Sequence, residues 1–555
     1  MSIAAEIQRI RDVFGPGTDI RVPPYQRAYA WEDEEVEALI QDLLEAFRAG
    51  TVYFLGAIVV IRPRKNGPSE VVDGQQRLTT LTVMLAVLRD LTISKDEEIL
   101  IQSMIGAEAK AMPFAAPQQK WRITLNPIDD PFFRRFVQER GATRQDQSVR
   151  DAVRHPGSES QARIDAAINH MHDHLSDMSP EERSRFVVWL LDQVSLARVR
   201  VMQFEVAYKV FQSLNHRGKA LSDHDILKGV LFDRAQYTSD EATAMSVQWN
   251  NYTARLGDRG FGDLWKQIRS ICDRAGAGEL VSGLVSGITR QGSVSEFLAK
   301  KLPVYVNAYD AIMSGKTDGL RLGDEAKRRI CFLRSIHHEG WRAPAVRFLA
   351  EYVYDEAIAD RFFRGMECLA YAMQYSVKER EYRDKRYRRL IEAMDKPDEL
   401  LAKGSQLDLT AKERTELLDR LRGRFSNYKQ RKALLMRFSA AVEGGVALDP
   451  SADCTVEHIL PRTPSKGSDW YEEWAKTRDR DDLTECIGNF TLLTHAENQL
   501  ADRKPFGEKL VIYFQSGKAS YALSNDLQGR TRWTPDDVRT RRDALIQSVA
   551  KDWGL

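Results

Sequence analysis

Residues 454–461 read Cys-Thr-Val-Glu-His-Ile-Leu-Pro, and the rest of the chain is organised around this stretch. It places a carboxylate and a histidine side by side at the end of an apolar strand. A second apolar strand is predicted within residues 487–494, with Asn489 at its head, and Asn498 follows on a predicted helix. Two strands followed by a helix, with polar side chains at their ends, are typical of a metal-dependent nuclease site.

Each polar residue of this pattern has a chemical reason to be there. An imidazole with a pKa near neutrality suits a general base for water, which makes His458 the candidate. Mg²⁺ or Mn²⁺ prefers hard oxygen ligands, and Glu457 and Asn498 are expected to supply them. Asn489 is expected to hold the His458 ring or its loop by a side-chain hydrogen bond. The plainer alternative is a hairpin with a buried histidine and an asparagine-capped helix.

The bulk composition limits the classes of protein that fit. A chain of 555 residues predicts about three to four domains. Lys and Arg number 81 against 80 Asp and Glu, so a nucleic-acid surface must be a local patch. The five cysteines include no CxxC pair and argue against a disulfide framework. Neither a signal peptide nor a membrane span is recognisable, and we expect a cytoplasmic protein with no membrane partner.

The amino-terminal third alternates strands and helices. The prolines of residues 20–31 predict an extended segment, and residues 32–47 carry apolar side chains at helical spacing. Residues 53–61 and 70–73 are predicted strands, and residues 75–91 a helix.

The junction Asp73-Gly74-Gln75-Gln76-Arg77 lies between the second strand and that last helix. Glycine allows a sharp turn, and the first amides of a helix form a natural phosphate seat. Arg77 can bind two phosphate oxygens, Asp73 can hold Mg²⁺, and Gln75 or Gln76 can orient a water. A strand–turn–helix with a capping aspartate remains the structural alternative.

The middle of the chain is predicted to be helical, from about residue 96 to 190 with polar loops and again over 230–450. Two basic tracts with interleaved tyrosines lie at 378–389 and 420–432. Such charges bind phosphates without reading sequence, although a charge run is more often a solvated helix face. The predicted DNA contacts are Arg383, Lys385, Arg386, Arg388, Arg389, Lys429, Arg431, Lys432 and Lys504.

The motifs at residues 24–31, 54–56 and 72–80 together resemble the amino-terminal domain of GmrSD-type modification-dependent restriction endonucleases. They are also similar to the phosphorothioate-sensing SspE proteins. The resemblance implies a ParB/sulfiredoxin-like fold that binds and hydrolyses a nucleoside triphosphate, GTP or UTP. Residues 210–228 match the family's second motif, which adds Asn215, Arg217, Gly218 and Lys228 to the expected nucleotide site. Four further residues are expected in the nucleotide pocket or against a chemical mark on DNA: Tyr25, Gln26, Arg27 and Trp31.

Residues 456–461, 488–493, 497–500 and 504–509 resemble, in order, the carboxy-terminal nuclease domain of the same family. The resemblance implies a ββα-metal nuclease of the HNH, or His-Me finger, type. Lys504 and Lys509 are then candidate phosphate contacts.

Together these observations predict an α+β, mostly helical chain. Its expected parts are a nucleotide-binding and sensing domain over 1–230, a helical DNA-contact region over 231–440 and a nuclease domain over 441–555. The expected function is a nucleotide-regulated, metal-dependent endonuclease or nickase for double-stranded DNA, acting in bacterial anti-phage defence and responding to phosphorothioate or modified cytosine. The alternatives are a nucleotide-gated DNA sensor without cleavage activity and an RNA-cutting toxin. Whether the chain forms a homo-oligomer stays open.

Overall fold

The computed structural model describes residues 3–23, 26, 28–61, 67–109, 118–144, 156–202, 223–273, 280–352, 354–376, 379–442, 446, 448, 452–465, 468–474 and 477–555. Contacts divide the chain into two compact units. The amino-terminal unit comprises Met1–Gly262 with Ser293–Ser295, and the carboxy-terminal unit comprises Asp263–Gly292 with Glu296–Leu555.

Ten strands are described, eight in the amino-terminal unit and two in the carboxy-terminal unit. They are β1 Ala4–Arg9, β2 Ile20–Arg21, β3 Tyr53–Ile61, β4 Ser69–Asp73, β5 Gly106–Ala109, β6 Gln118–Trp121, β7 Ile123–Thr124, β8 Val194–Val201, β9 Thr455–His458 and β10 Phe490–Leu493. Six of them form a mixed sheet in the order β1-β8-β3-β4-β2-β7, and β5 pairs with β6. Within the sheet β3 runs parallel to β8 and antiparallel to β4.

Several helices of the first 272 residues, among them those that begin at Ile10, Gln75 and Pro180, contact strands of the sheet. The helices of this part of the chain are α1 Ile10–Val13, α2 Asp33–Ala49, α3 Gln75–Leu91, α4 Lys95–Ile105, α5 Asp130–Phe133, α6 Glu159–Ser176, α7 Pro180–Gln193, α8 Asp223–Ala235 and α9 Ser239–Cys272. A π-helical turn, Arg134–Gln138, follows α5.

The later helices are mostly amphipathic and pack on one another. They are α10 Leu280–Gln291, α11 Val294–Glu296, α12 Leu302–Ser314, α13 Asp324–Arg334, α14 Arg342–Glu351, α15 Glu356–Tyr375, α16 Arg380–Ala393, α17 Pro397–Leu400, α18 Ala411–Arg422, α19 Tyr428–Ala441, α20 Asp469–Trp474, α21 Arg480–Thr484, α22 His495–Ala501, α23 Phe506–Tyr513 and α24 Pro535–Trp553. A π-helical turn covers Phe297–Lys301, and 3₁₀ turns cover Ile487–Asn489 and Ala522–Leu527.

These elements confirm the α+β, mostly helical class and the predicted elements β3, β4, α2 and α3. The prediction of helices and loops over 96–190 is wrong where β5, β6 and β7 form. Strand β8, which pairs with both β1 and β3, was not predicted. Buried and half-buried side chains alternate from Val194 to Ala197, the period-two pattern of a strand, but Arg198 and Val199 are both buried and interrupt it. The ParB/sulfiredoxin likeness stays a prediction.

Helix α3 is the core of the amino-terminal unit. Most of its side chains, from Leu78 to Leu88, are buried against the sheet and the helices around it. Gly74 begins the helix at a φ of +93°, and a Cβ there would lie 2.4 Å from Ile58 Cγ2. The turn from β4 into α3 therefore requires glycine for both conformation and space.

A buried ionic network joins helices of the carboxy-terminal unit. Glu367 on α15 accepts from Arg329 Nη1 at 2.6 Å, from Trp553 Nε1 at 2.8 Å and from Arg437. Both arginines also bind Asp552 on α24. Because α13, α15, α19 and α24 share these contacts, the predicted boundary near residue 440 falls inside one compact unit.

Two further findings concern the chain as a whole. All five cysteines are free, as the absence of paired spacings predicted. In the part of the chain that the structure describes, no helix combines the length and the apolar composition needed to cross a membrane.

Replacing Gly74 by alanine should lower the free energy of unfolding of the amino-terminal unit. The change adds left-handed backbone strain of about 1 kcal/mol and about 1–3 kcal/mol of overpacking against Ile58. The matched control is Gly17→Ala, since Gly17 has a φ of +86° with open space around its Cβ position. Thermal or urea unfolding should show a larger loss for Gly74→Ala, and equal losses would contradict the packing argument.

Candidate active site

Strands β9 and β10 place the predicted catalytic residues of the carboxy-terminal unit. They pair antiparallel, with His458 opposite Phe490 and Glu457 opposite Thr491. Because successive side chains of a strand point to opposite faces, Glu457 and His458 face different surroundings. Helix α22 follows β10, and a capping box between Thr494 and Glu497 begins it.

Asn498 binds helix α22 to β9. Its Nδ2 donates to Thr455 Oγ1 at 2.8 Å and to the carbonyl of Val456 at 3.1 Å. The amide oxygen is left as the group that can bind a cation, and Asn498 lines the open cleft beside His458.

Asn489 is completely buried, and its side chain forms four hydrogen bonds. Its Oδ1 accepts from the amide of Leu460 at 2.8 Å and from Trp533 Nε1 at 3.1 Å. Its Nδ2 donates to the carbonyls of Leu460 and Thr484, both at 3.0 Å. Of the two roles predicted for Asn489, the structure shows it holding the loop after His458, not the ring.

The His458 ring lies at the edge of the cleft, with its plane edge-on to Phe490 at a centroid distance of 4.9 Å. Its Nε2 is 3.4 Å from Glu485 Oε1 and 3.5 Å from Arg431 Nη1. Burial lowers the pKa of His458 to about 4, with Arg431 and Arg462 acting in the same direction and Glu485 against them. The imidazole is therefore neutral at physiological pH, the form that can accept a proton.

The Glu485 carboxylate accepts hydrogen bonds from three nitrogen atoms of two arginines. Arg462 contacts it with Nε at 2.5 Å and Nη2 at 3.0 Å, and Arg431 Nη1 donates to Oε2 at 2.8 Å. The arginines and His458 lower the pKa of Glu485, although its burial acts in the opposite direction. Sequence reasoning missed Glu485 and Arg462; their signal was only their position, four residues before Asn489 and directly after Pro461.

The cleft next to His458 has a volume of about 690 Å³. Its lining includes His458, Asn498, Arg462, Asp502, Arg503 and Tyr428. Two carboxylates, two guanidiniums, two amides and two imidazoles line this one open space, since Glu457, His495 and Gln499 also belong to it. Such a set suits a phosphate diester with a cation beside it.

Glu457, predicted to be a metal ligand, has one carboxylate oxygen engaged by other side chains. It is only 4% exposed, and its Oε1 accepts from Lys509 Nζ at 2.5 Å and from Tyr513 at 2.9 Å. Burial raises the pKa of Glu457, although Lys509 and Tyr513 oppose the rise. A cation at this oxygen would lie beside an ammonium, so Asn498 is the better-placed ligand. Glu457 also lines the cleft, and its role as a metal ligand stays a prediction. Asp502 is the exposed carboxylate of the cleft.

The structure also corrects the prediction for Lys509. It was predicted to contact phosphate, yet it is completely buried between Glu457 and the carbonyl of His458, which it reaches at 2.8 Å. Its ammonium braces the strand that carries the candidate base.

The strand, turn and helix that carry the predicted nucleotide motif are present in the amino-terminal unit, and the nucleotide role stays a prediction. Arg77 Nη1 donates to the carbonyl of Ala57 at 2.9 Å, and Gln76 binds the backbone of Ala28 and Ala30. Asp73 ends β4, and burial raises the pKa of its carboxyl group, with Arg77 opposing the rise. In this conformation Arg77 and Gln76 hold neighbouring backbone.

Of the other residues predicted for nucleotide binding or sensing, the structure describes Gln26, Trp31, Gln75 and Lys228. Gln26 donates to the carbonyl of Val72 at 3.0 Å, and Trp31 packs on the core. Gln75 is nearly buried at the start of α3. Lys228 is 4% exposed, with its Nζ 3.3 Å from Asn250 Oδ1, so it presents little charge to a ligand. Outside the described residues lie Tyr25, Arg27, Asn215, Arg217 and Gly218.

Two of the predicted DNA contacts are buried and have structural partners instead. Arg386 binds Glu413 at 2.9 Å and the carbonyls of Gln406 and Asp408, and Arg431 binds Glu485. The sequence did not indicate that Arg386 and Arg431 are buried, because both lie in tracts of basic residues. The remaining predicted contacts are exposed or half-buried: Arg383, Lys385, Arg388, Arg389, Lys429, Lys432 and Lys504.

Ion pairs already engage part of this basic surface. Lys385 pairs with Glu381 at 2.7 Å, and Lys504 pairs with Glu508 at 3.1 Å. Exposed pairs of this kind contribute about 0–1 kcal/mol, so a phosphate can displace them at little cost.

Asn489→Asp should destabilise the carboxy-terminal unit by about 3–5 kcal/mol, because a buried carboxylate cannot donate to the carbonyls of Leu460 and Thr484. The matched control is Asn427→Asp. Asn427 is an exposed N-cap whose side chain only accepts, so aspartate replaces it within about 0.5 kcal/mol. Urea unfolding measures both, and similar midpoints for the two variants would contradict this role of the Asn489 hydrogen bonds.

Comparison with known proteins finds matches to two family models, one in the amino-terminal and one in the carboxy-terminal part of the chain. The family model described as GmrSD restriction endonuclease, N-terminal domain, matches residues 10–232. The model described as GmrSD restriction endonucleases, C-terminal domain, matches residues 402–548. No curated protein matches the chain. The two matches follow one another in the expected order and cover more than half of the chain, which therefore belongs to the GmrSD restriction endonucleases, DNA-cutting enzymes of phage defence.

Proposed function

We propose that the chain is a nucleotide-regulated, divalent-metal-dependent DNA endonuclease or nickase of the HNH type. The observation that carries this proposal is the position of His458 at the end of β9 and at the edge of a cleft, before a loop that buried Asn489 holds in place. The strand–strand–helix order of β9, β10 and α22 supports the HNH assignment.

In the proposed reaction His458 is the general base. Its neutral imidazole takes a proton from a water molecule, and the water oxygen then attacks the phosphorus of the scissile phosphodiester. Arg462, which lines the cleft and is half exposed at its side chain, can turn toward a phosphate oxygen and neutralise its charge. Asn489 acts by positioning, since it fixes the loop that follows His458.

Magnesium or manganese is the expected cofactor of this site. A bound ion would supply positive charge beside the phosphate and the leaving oxygen. Asn498 offers one oxygen ligand at the cleft, and we assign the accompanying carboxylate to Asp502 because Glu457 is held by Lys509.

Duplex DNA is the proposed substrate. The half-buried Arg388 and the exposed Arg389, Lys429 and Lys504, together with Arg503 in the cleft, are proposed to supply contacts to the DNA backbone without a sequence code. Because each cation that pairs with a phosphate releases a counterion, binding should weaken as the salt concentration rises.

The amino-terminal unit is proposed to bind GTP or UTP and to sense the modification state of DNA, such as phosphorothioate or modified cytosine. Support comes from the sharp turn at Gly74, which begins a 17-residue helix whose first amides can hold phosphate. Asp73 and Arg77 lie at the two sides of this turn and supply a carboxylate and a guanidinium.

His458→Ala should reduce cleavage of supercoiled plasmid in Mg²⁺ by about 10³-fold or more, because the water loses its base. The measurement is nicked and linear product over time, on plain, methylated, glucosylated and phosphorothioate DNA with and without each nucleotide. His495→Ala is the matched control, an exposed histidine on the same cleft. A wild-type chain that leaves every substrate intact would favour a sensor without cleavage activity, and one that cuts only RNA would favour the toxin.

Cleavage should stay active well below the pH at which an ordinary histidine is protonated. The pKa of His458 is lowered to about 4, so the base form is complete above pH 5 and is lost only as the pH falls through about 4. A histidine with an ordinary pKa would lose activity near pH 6.5. The measurement is kcat/KM from pH 4.5 to 8 at saturating metal. A half-maximal point near pH 6.5 would contradict the buried, neutral base.

Asp73→Asn and Arg77→Ala should each lower phosphate release from GTP or UTP by about tenfold or more, because each removes a charged group from the phosphate seat. Arg163→Ala is the control, since Arg163 forms only exposed ion pairs with Glu32 and Glu159 in the same unit. Unchanged release in both motif variants, with wild-type melting temperatures, would exclude this motif as the hydrolytic centre.

A further inference from the structure

Two charged side chains, Glu485 and Arg431, lie next to the Nε2 atom of His458. Glu485 Oε1 lies 3.4 Å and Arg431 Nη1 lies 3.5 Å from the same nitrogen, Nε2. Arg431 Nη1 already donates to Glu485 Oε2 at 2.8 Å, a shorter and charge-assisted bond. The anionic Oε1 of Glu485 is the nearer of the two neighbours and favours an Nε2–H that donates to it, which leaves the lone pair on Nδ1.

Glu485 is fixed for this task from two sides. Arg462 binds it through Nε and Nη2, and Arg431 binds the second oxygen. Arg431 is itself buried, with its guanidinium 5.1 Å from the centre of the Phe490 ring, which also packs on His458. The carboxylate cannot turn away from His458 without breaking these contacts.

We propose that Glu485 is a positioning residue that sets the tautomer of His458, with Nε2–H toward Glu485 and the Nδ1 lone pair free for the reaction. This inference rests on the proposed function for its catalytic meaning, although the tautomer itself does not depend on cleavage. Histidine that is oriented by a carboxylate is a recurring arrangement among hydrolases, where the carboxylate also stabilises the imidazolium.

In the reaction, Nδ1 takes one proton from water while the water oxygen forms a bond to phosphorus. The phosphorus–oxygen ester bond on the opposite side breaks, and the leaving oxygen takes a proton from solvent. The imidazolium that forms carries its new charge next to Glu485, and the proton on Nδ1 is afterwards returned to solvent. The charged groups around the ring are Glu485, Arg431 and Arg462, and Lys509 reaches the backbone oxygen of His458.

The test uses the full chain in three forms: wild type, Glu485→Leu and Glu485→Gln. Leucine removes the acceptor, and kcat for plasmid cleavage should fall about 10–100-fold with KM nearly unchanged. Glutamine keeps an acceptor oxygen for Nε2–H and should recover part of the loss. Glu339→Gln, which removes a carboxylate from an exposed pair with Arg342, should leave kcat unchanged.

The tautomer is measured directly by nitrogen NMR of ¹⁵N-histidine-labelled protein, with His458→Ala identifying the signal. The expected result is Nε2–H in wild type and in Glu485→Gln, and a mixture of tautomers in Glu485→Leu. An Nδ1–H tautomer in wild type, or full kcat in Glu485→Leu, would overturn the proposal. A wild-type chain with Nε2–H but no cleavage would support the positioning role while refuting the nuclease proposal.

Discussion

The four hydrogen bonds of the Asn489 side chain determine the shape of the carboxy-terminal site. They connect the loop after His458, the turn before β10 and Trp533 ahead of the terminal helix through one buried amide. An amide is the one small side chain that can donate twice and accept twice at this point. Without it, two carbonyls and two N–H groups would be buried without partners, and the loop that places the candidate base would lose its anchor.

Charge is arranged around this anchor in two layers. Below the strand, Glu457 and Lys509 neutralise each other in a buried pair and tie α23 to β9. At the edge of the cleft, Glu485 binds two arginines and approaches His458. The first layer stabilises the scaffold. In the second, burial and the two arginines favour the neutral imidazole against the opposing effect of Glu485, which we propose orients the ring. The adjacent residues Glu457 and His458 thus have separate roles because a strand sends them to opposite faces.

Much of the fold could be predicted from local pattern. Helices α2 and α3 and strand β3 follow from the periodicity of apolar residues that lie within a few positions of one another. The roles of single charged residues could not be predicted in this way. Arg431 and Arg386 sit in basic tracts, yet each is buried against a carboxylate from a distant part of the chain. Glu485 acquires its role from His458, 27 residues away in sequence.

The central claim is that the cleft beside His458 binds the metal ion and the phosphodiester. The most direct measurement is anomalous diffraction from crystals of the full chain soaked in Mn²⁺. The account predicts a peak in the cleft beside Asn498, with Glu457 still paired to Lys509. A cleft without a peak at saturating Mn²⁺, or a peak bound to Glu457 in place of Lys509, would contradict it.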